Sequence, residues 1–314
     1  MIKVNFCDMY RWYDFDSDIF AEYINKHFGG YEISDQPDFL FYGPFGTRHH
    51  LYKNCVKIFI CGEPLAPDFN QCDYAIGYDP IEFGDRYMMR PIYMKEPFPK
   101  PITISDEQAL SRKFCNFVYS NDKNGIGAKL RVEFAKKLMK YKRVDCPGKI
   151  LNNMEDAIGA RSGTNWIQDK LDFIGKYKFT IAFENSMGRG YTTEKMTHPL
   201  IAHSIPIYWG NPDVTDNFNE DAFINATGYE ERLDEVVQRI IELDKNDEAY
   251  LKMLHAAPMT SNFDVHEMDK LEQFIVNIIK KGNKPYEKDP FGFTARMSVD
   301  KLSRKEKIKY FFFK

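Results

Sequence analysis

Apolar and polar positions along the chain fall into two alternating patterns. Short apolar runs read as strands where they end on Gly, Pro or Asp: KVNFCDM near the start, DFLFYGP at 38–44, VKIFICG at 56–62 and CDYAIGYD at 72–79. Between the first two, DIFAEYINKHFG places Ile19, Phe20, Tyr23 and Ile24 at helical spacing and closes on Gly29. The segment MKEPFPKPITISDEQ, at 94–108, is rich in proline, lacks core character and reads as a linker. Alternation then resumes. RKFCNFVYSN is a strand, GAKLRVEFAKKLMKY an amphipathic helix bearing Leu130, Phe134 and Leu138, and YKRVDCPG a short strand and turn. DKLDFIGKYKFTIAFEN is a helix followed by a strand, and TTEKMTHPLIAHS a helix that Pro199 either kinks or opens. IPIYWG is a strand, while LDEVVQRIIELDKNDEAYLKML and MDKLEQFIVNIIKK are helical. Strand–helix alternation in both halves predicts an α/β fold of two doubly wound domains with a cleft between them. The expected boundaries are 1–108, 109–290 and a tail at 291–314.

Composition narrows the class. Hydrophobic content of 43% and charged content of 28% are ordinary globular values, and 314 residues suffice for two cores. The 26 Phe and 19 Tyr point to well-filled cores and ring-lined clefts, and a net charge of -3 argues against nucleic-acid binding. The start is polar by its tenth residue, and no run of about 18 apolar residues follows, so neither a secretory signal nor a membrane span is expected. The six cysteines form no CxxC pair and read as reduced thiols of a cytoplasmic protein. The tail RMSVDKLSRKEKIKYFFFK is basic and aromatic. It is a candidate for weak peripheral contact with an anionic membrane surface, at the inner face of the cytoplasmic membrane; packing on its own domain and oligomerisation are the alternatives.

Candidate chemistry centres on AFENSMGRGYTTEKM. Glu184 and Asn185 fall beyond the C-terminal end of a strand, where ligands of open α/β sheets lie. The glycines allow close backbone approach, and the helix starting near Thr192 or Thr193 offers N–H groups to an anion. Glu194 would repel a phosphate on that terminus but can accept hydrogen bonds from sugar hydroxyls, while Lys195 can turn toward phosphate. A nucleotide explains this mixture better than bare phosphate. A plain capping box with a surface lysine is the alternative, because neither GxGxxG nor GxxxxGK[ST] is present. In the first half, Glu63 follows a strand end and Gly62 and is a candidate base. Asp68, Asn70, Asp73 and Asp79 lie near it, so spacing alone does not choose among them. Arg131 sits on an amphipathic helix, either as a diphosphate clamp or on a solvated face. The histidines form no HExxH and no compact DxD follows a strand, so a catalytic metal is not expected.

FENSMGRGYTTEKM, with HSIPIYWG and DNFNEDAFIN downstream, resembles the signature region of the bacterial and animal α1,3/α1,4-fucosyltransferases. CGEPLAPDFNQCDYAIGYD and DRYMMRPIY resemble the acceptor-domain motif of the bacterial members, and VYSN followed by Arg131 resembles the start of their donor domain. The resemblance spans roughly residues 56 to 260. It implies a GT-B fold of two Rossmann-like domains facing across a cleft, the first binding acceptor and the second GDP-fucose. The implied reaction is inverting transfer of L-fucose from GDP-β-L-fucose to the 3-hydroxyl of GlcNAc or Glc in a β-galactoside such as N-acetyllactosamine or lactose, giving Lewis X-type products. Use of type 1 chains as well, a different nucleotide-sugar donor, and a nucleotide-sugar-binding module without transfer activity are the alternatives.

By position, Glu63 matches the proposed general base. Arg131 and Lys195 match contacts to the donor diphosphate, Asn185 and Tyr191 donor-pocket residues, and Glu194 a donor-binding carboxylate whose target is ribose. Glu184 and Ser120 stand as supporting residues. GDP is a good leaving group, so one base suffices, unlike the carboxylate pair of glycoside hydrolysis. Charge growing on the diphosphate is met by Arg131, Lys195 and helix N–H groups, with no cofactor or metal required. Because base and donor residues lie in different domains, activity is expected to depend on closure of the cleft. Acceptor choice is expected from the loops at 8–17 and 43–55, which mix rings and charges. The heptad repeats that often precede a basic tail in bacterial relatives are not visible between Lys281 and Arg296, which leaves the oligomeric state open.

Overall fold

The computed structural model describes residues 1–11, 13–90, 102, 104–123, 125–155, 165–263, 266–286 and 303–312. The chain divides into two units, Met1–Arg90 with Val265–Lys314, and Pro91–Asp264.

In the first unit, strands β1 (Ile2–Cys7), β2 (Tyr31–Ile33), β3 (Phe39–Tyr42), β4 (Val56–Ile60), β5 (Tyr74–Gly77) and β6 (Tyr87–Met89) form one sheet in the order β2-β1-β3-β4-β5-β6. Every pairing is parallel. Each residue of FLFY (β3) and YAIG (β5) is buried, as expected of parallel strands covered on both faces. Helix α1 (Ile19–Phe28) starts where Asp18 Oδ1 accepts from Phe20 N–H at 3.4 Å, and it ends at Gly29 in the left-handed conformation. Its apolar face, with Phe20 and Ile24, packs into the same core as Val4, Phe41, Ile58 and Ile76.

Helix α8 (Glu267–Lys280) completes that core with Leu271, Ile275, Ile278 and Ile279. This corrects the expected boundary at 290: the chain re-enters the first unit at 265, because the apolar stripe of α8 is covered there. Beyond α8, Tyr286 N–H donates to buried Asp73 Oδ1 at 2.8 Å, tying the returning segment to the sheet. The last helix, α9 (Arg304–Phe312), belongs to this unit and lies against a 3₁₀ turn at Arg48–Leu51. Most of the expected linker at 94–108 lies outside the described residues, but from Ser105 onward it forms α2 (Asp106–Leu110). There Ser105 Oγ accepts from Gln108 N–H, and the Gln108 side chain accepts from Ser105 N–H.

The second unit repeats the plan. Strands β7 (Lys113–Asn116), β8 (Val144–Asp145), β9 (Tyr177–Phe183), β10 (Ile205–Trp209) and β11 (Ile224–Asn225) run parallel in the order β11-β10-β9-β7-β8. Helices α3 (Ile126–Leu138), α4 (Trp166–Ile174), α5 (Glu194–Ile201), α6 (Leu233–Asp244) and α7 (Asp247–Leu254) accompany them. Pro199 lies inside α5, which stops two residues later. In both sheets the first strand of the unit sits between the second and third. Strand order therefore reverses between β1 and β3, and again between β7 and β9. The crevice outside the carboxyl ends at such a reversal is where open α/β sheets take ligands.

Candidate active site

At the β7/β9 reversal a cavity of about 250 Å³ opens. The segment after β7 contributes Val118, Tyr119, Ser120 and Asn121, and the segment after β9 contributes Asn185. Helix α3 brings Arg131, α4 brings Trp166, Lys170 and Ile174, and α5 brings Glu194, Lys195 and Pro199. Three cations and one carboxylate line it, a balance suited to an anionic ligand.

Arg131 is only 1% exposed. Its Nη1 donates to Asn185 Oδ1 at 2.8 Å, its Nη2 donates to the Asn121 carbonyl, and its guanidinium lies 4.0 Å over the Tyr119 ring. Among the described residues it makes no ion pair, and its buried Nε has no hydrogen-bond acceptor. Burial lowers its pKa, opposed by Tyr119 and Glu184, yet a guanidinium stays charged. The result is a fixed cation that, among the described residues, has no carboxylate within ion-pair distance.

Helix α3 reaches this position because it opens on glycines. Gly127 N–H donates to the Asn185 carbonyl at 2.9 Å, and a Cβ on Gly127 would stand 2.2 Å from the Glu184 carbonyl oxygen and 2.4 Å from Trp209. Gly125, at φ +88°, is pressed against Asn185 in the same way.

Glu184 is fully buried. Its carboxylate accepts from Thr193 N–H at 2.8 Å and from the Thr193 hydroxyl, and Lys195 Nζ stands 3.1 Å from Oε2. Burial holds its pKa above the ordinary carboxylate value despite Lys195. For Lys195, burial acts downward, but Glu184 and Glu194 outweigh it and keep the ammonium above its usual pKa. Lys195 also donates to Thr193 Oγ1 at 3.0 Å and lies 3.4 Å from Glu194 Oε1. Thr193 caps α5. Thr193 thus caps the helix through Lys195 N–H rather than through a capping box, and the lysine of that alternative is not at the surface: its ammonium lies in the cavity wall.

Of the predicted donor residues, Arg131, Asn185, Glu194, Lys195 and Ser120 line this cavity. Glu184 stands behind the wall as the partner of Lys195. Tyr191 is buried, its carbonyl accepting from the Tyr208 hydroxyl at 3.3 Å, and it is not among the lining residues. Sequence reasoning missed Trp166 and Lys170. It also missed Asn211, whose Oδ1 accepts from Gly190 N–H at 3.0 Å and whose Nδ2 donates to Thr192 Oγ1 at 3.1 Å, fixing the glycine turn.

Glu63 belongs to the first unit, on the loop after β4. Its N–H points at Cys61 Sγ (3.4 Å), its carbonyl accepts from the Cys61 thiol (3.2 Å) and from Leu65 N–H (2.7 Å), and the carbonyl of Gly62 accepts from the Tyr78 hydroxyl at 2.9 Å. Burial pushes the Cys61 thiol up to about 11, so it stays protonated. Its backbone is thus held and its side chain half-buried. All six cysteines are buried thiols. Among the described residues no group of three or more His, Cys, Asp or Glu could hold a metal ion, and no helix is long and apolar enough to cross a membrane.

Two family models match. Residues 4–95 match the α-(1,3)-fucosyltransferase FucT N-terminal domain, and residues 111–278 match the C-terminal part of glycosyltransferase family 10 (fucosyltransferase). The chain belongs to the family 10 fucosyltransferases. The two Rossmann-like units are those of this family's GT-B-type fold. The α-(1,3)-fucosyltransferase FucT of Helicobacter pylori is 30% identical over 262 residues, covering 71% of this chain. The match spans about half (52%) of that longer protein. A crystal structure of an α1,3-fucosyltransferase superposes with a TM-score of 0.71 at 25% identity, covering 89% of this chain and 90% of that one. A second such structure, solved with GDP-fucose, gives 0.70 at 23% identity over 92% and 93%, and shares the fold. The C-terminal family match runs into α8, so a helix that packs on the first unit is, by sequence, a continuation of the second.

Proposed function

We propose that this fucosyltransferase-family chain is an inverting α1,3-fucosyltransferase. It transfers L-fucose from GDP-β-L-fucose to the 3-hydroxyl of GlcNAc or Glc in a β-galactoside acceptor. The observation that carries this is the cavity at the β7/β9 reversal, where Arg131 has no carboxylate partner among the described residues and Lys195 shares its charge with two. Arg131 and Lys195 meet the diphosphate, and Glu194 accepts from the ribose hydroxyls. Asn185 orients Arg131, Glu184 holds Lys195, and Ser120 adds a hydroxyl to the wall. As the acceptor oxygen bonds to the anomeric carbon, the bond from that carbon to the β-phosphate oxygen breaks. GDP carries away the electron pair, and the acceptor proton passes to the Glu63 carboxylate. The anomeric centre inverts because attack comes opposite the leaving group.

The chain is read as cytoplasmic, with α9 as the candidate for contact with anionic lipid, since Arg304 and Lys305 are exposed on it. The test is incubation with GDP-fucose and, separately, lactose, type 1 and type 2 disaccharides, followed by determination of the product linkage. An α1,3-fucosylated type 2 product or fucosyllactose is expected. Transfer only from a different nucleotide sugar, or no transfer to any of the three, overturns the reading.

A further inference from the structure

The β1/β3 reversal of the first unit is the topological counterpart of the donor crevice, and it is built around Asp8. Asp8 follows the last residue of β1 and holds φ at 57°, an uncommon conformation for a non-glycine residue. Its carboxylate accepts from Arg48 N–H at 3.0 Å, His49 N–H at 2.9 Å and His49 Nδ1 at 2.7 Å. The other ring nitrogen of His49 lies 3.1 Å from Gln71 Oε1, on the loop that follows Glu63, and the Tyr42 ring stacks on the imidazole. Asp8 and His49 are both buried. The Asp8 carbonyl accepts from Phe45 N–H at 2.8 Å. On either side of Phe45, a Cβ at Gly43 would meet the Asp8 carbonyl oxygen at 2.7 Å, and one at Gly46 would meet Asp8 Oδ1 at 2.3 Å.

Phe45 itself is 56% exposed. A large ring in water contributes little packing, yet the backbone that carries this one is held by its own N–H and by two glycines pressed on Asp8, Gly43 on its carbonyl oxygen and Gly46 on its carboxylate. Tyr10, on the loop after β1, is also exposed. An exposed ring on a fixed backbone at a strand-order reversal suits the C–H face of a pyranose, which stacks on an aromatic face while its hydroxyls remain available to polar groups.

We propose that Phe45 is the stacking platform for the acceptor hexose and that Asp8 and His49 are positioning residues acting through it. This rests on the reading of the chain as a fucosyltransferase of β-galactosides. Phe45→Ala is expected to raise the KM for N-acetyllactosamine about ten-fold, a change of ~1.4 kcal/mol, with the KM for GDP-fucose unchanged. Because the side chain is exposed, the variant keeps the thermal unfolding midpoint of the parent. Asp8→Asn tolerates the same backbone conformation but cannot accept all three bonds, and should produce the same acceptor-specific change. The double variant should be no worse than the worse single one, since both act on one contact.

Binding of N-acetyllactosamine in the presence of GDP, measured by calorimetry, separates the two readings. Saccharide binding that weakens in Phe45→Ala supports the inference even if no fucose is transferred, an outcome that removes only the fucosyltransferase reading. No saccharide binding by the parent, an unchanged acceptor KM in Phe45→Ala, or fully additive effects in the double variant overturns the inference.

Discussion

Replacing Lys195 tests the reading of the donor wall most severely, because that ammonium has two tasks. It faces the cavity, and it is the counterion of a carboxylate that is 0% exposed. Lys195→Ala leaves Glu184, among the described residues, with the Thr193 N–H and hydroxyl. Removing one partner of a buried pair costs about 3–5 kcal/mol. At about 2–4 °C per kcal/mol for a domain of this size, the unfolding midpoint should fall by ~10 °C near pH 8. The pH dependence has a definite sign. Glu184 already has its pKa held up by burial, and losing Lys195 removes the main influence that lowers it. A carboxyl whose folded pKa exceeds its unfolded value contributes stability that is present below the unfolded value and lost as pH rises through the folded one. The deficit of Lys195→Ala should therefore shrink toward pH 5, where Glu184 takes up a proton, and be full at pH 8. Glu184→Gln combined with Lys195→Ala removes the stranded charge and should recover much of the midpoint at pH 8 while GDP binding stays weak. The assay is thermal unfolding of the three proteins at both pH values without nucleotide, with calorimetric GDP titration alongside. An Ala variant as stable as the parent, or a deficit equal at the two pH values, would refute the counterion role.

Glu63→Gln should lower turnover at least a hundred-fold, within the range of general-base contributions, while GDP affinity stays within two-fold; near-normal turnover removes the base assignment. Gly127→Ala should destabilise the second unit by roughly 1–3 kcal/mol despite the better helix propensity of alanine, because its Cβ has backbone and indole within 2.4 Å; an increase in unfolding midpoint would show that the contact gives way. Asp145 has its pKa pushed up by burial but held below the ordinary value by Arg143 (2.6 Å), the Tyr177 hydroxyl (2.8 Å) and Lys113 (3.3 Å). Its contribution is present above the unfolded value, about 3.9, and lost as pH falls below it, so stability curves of the parent and Asp145→Asn should differ at pH 7 and converge in acid.

The strands most readable in the sequence were those buried on both faces. FLFY, KFTIAF and IPIYW are continuous apolar runs because parallel sheets cover them above and below. Strands β2, β6 and β11, two or three residues long, carry no such run and went unread. The helix expected across 233–254 is two, because Asn246 Oδ1 accepts from Ala249 N–H and starts a second helix. That cap was legible in the triplet Asn246-Asp247-Glu248, but the apolar periodicity on either side concealed it. The destination of α8 was not legible: its stripe says that it is covered, not by which unit. Glu194, Lys195 and Asn185 announced themselves because one local turn gathers them. Trp166 and Lys170 come to the same cavity on α4, a contribution that only tertiary packing creates.

The two reversals of strand order are built by one device used with opposite electrostatics. Each has a buried carboxylate just past a strand end, Asp8 after β1 and Glu184 after β9. Each is crowded by glycines from neighbouring segments, Gly43 and Gly46 on Asp8, Gly127 and Gly210 on Glu184. A Cβ on Gly210 would stand 2.5 Å from Glu184 Cγ, so the glycine ending IPIYWG makes room for a side chain rather than only turning the chain. The carboxylates differ in what satisfies them. Asp8 takes two backbone N–H groups and a histidine; although burial pushes its pKa up, these bonds outweigh it and hold the carboxyl below the ordinary value. It is thereby a passive anchor that fixes a loop. Glu184 takes a threonine and a lysine, and burial keeps its pKa raised, so part of its role is to hold a cation at a cavity wall. An anionic diphosphate needs such a cation, whereas a neutral sugar needs only a fixed ring and polar groups around it. On the proposed reading, the same topology serves a charged donor in one unit and an uncharged acceptor in the other: a backbone N–H meets both buried carboxylates, and the difference lies in whether a lysine or a histidine completes the set.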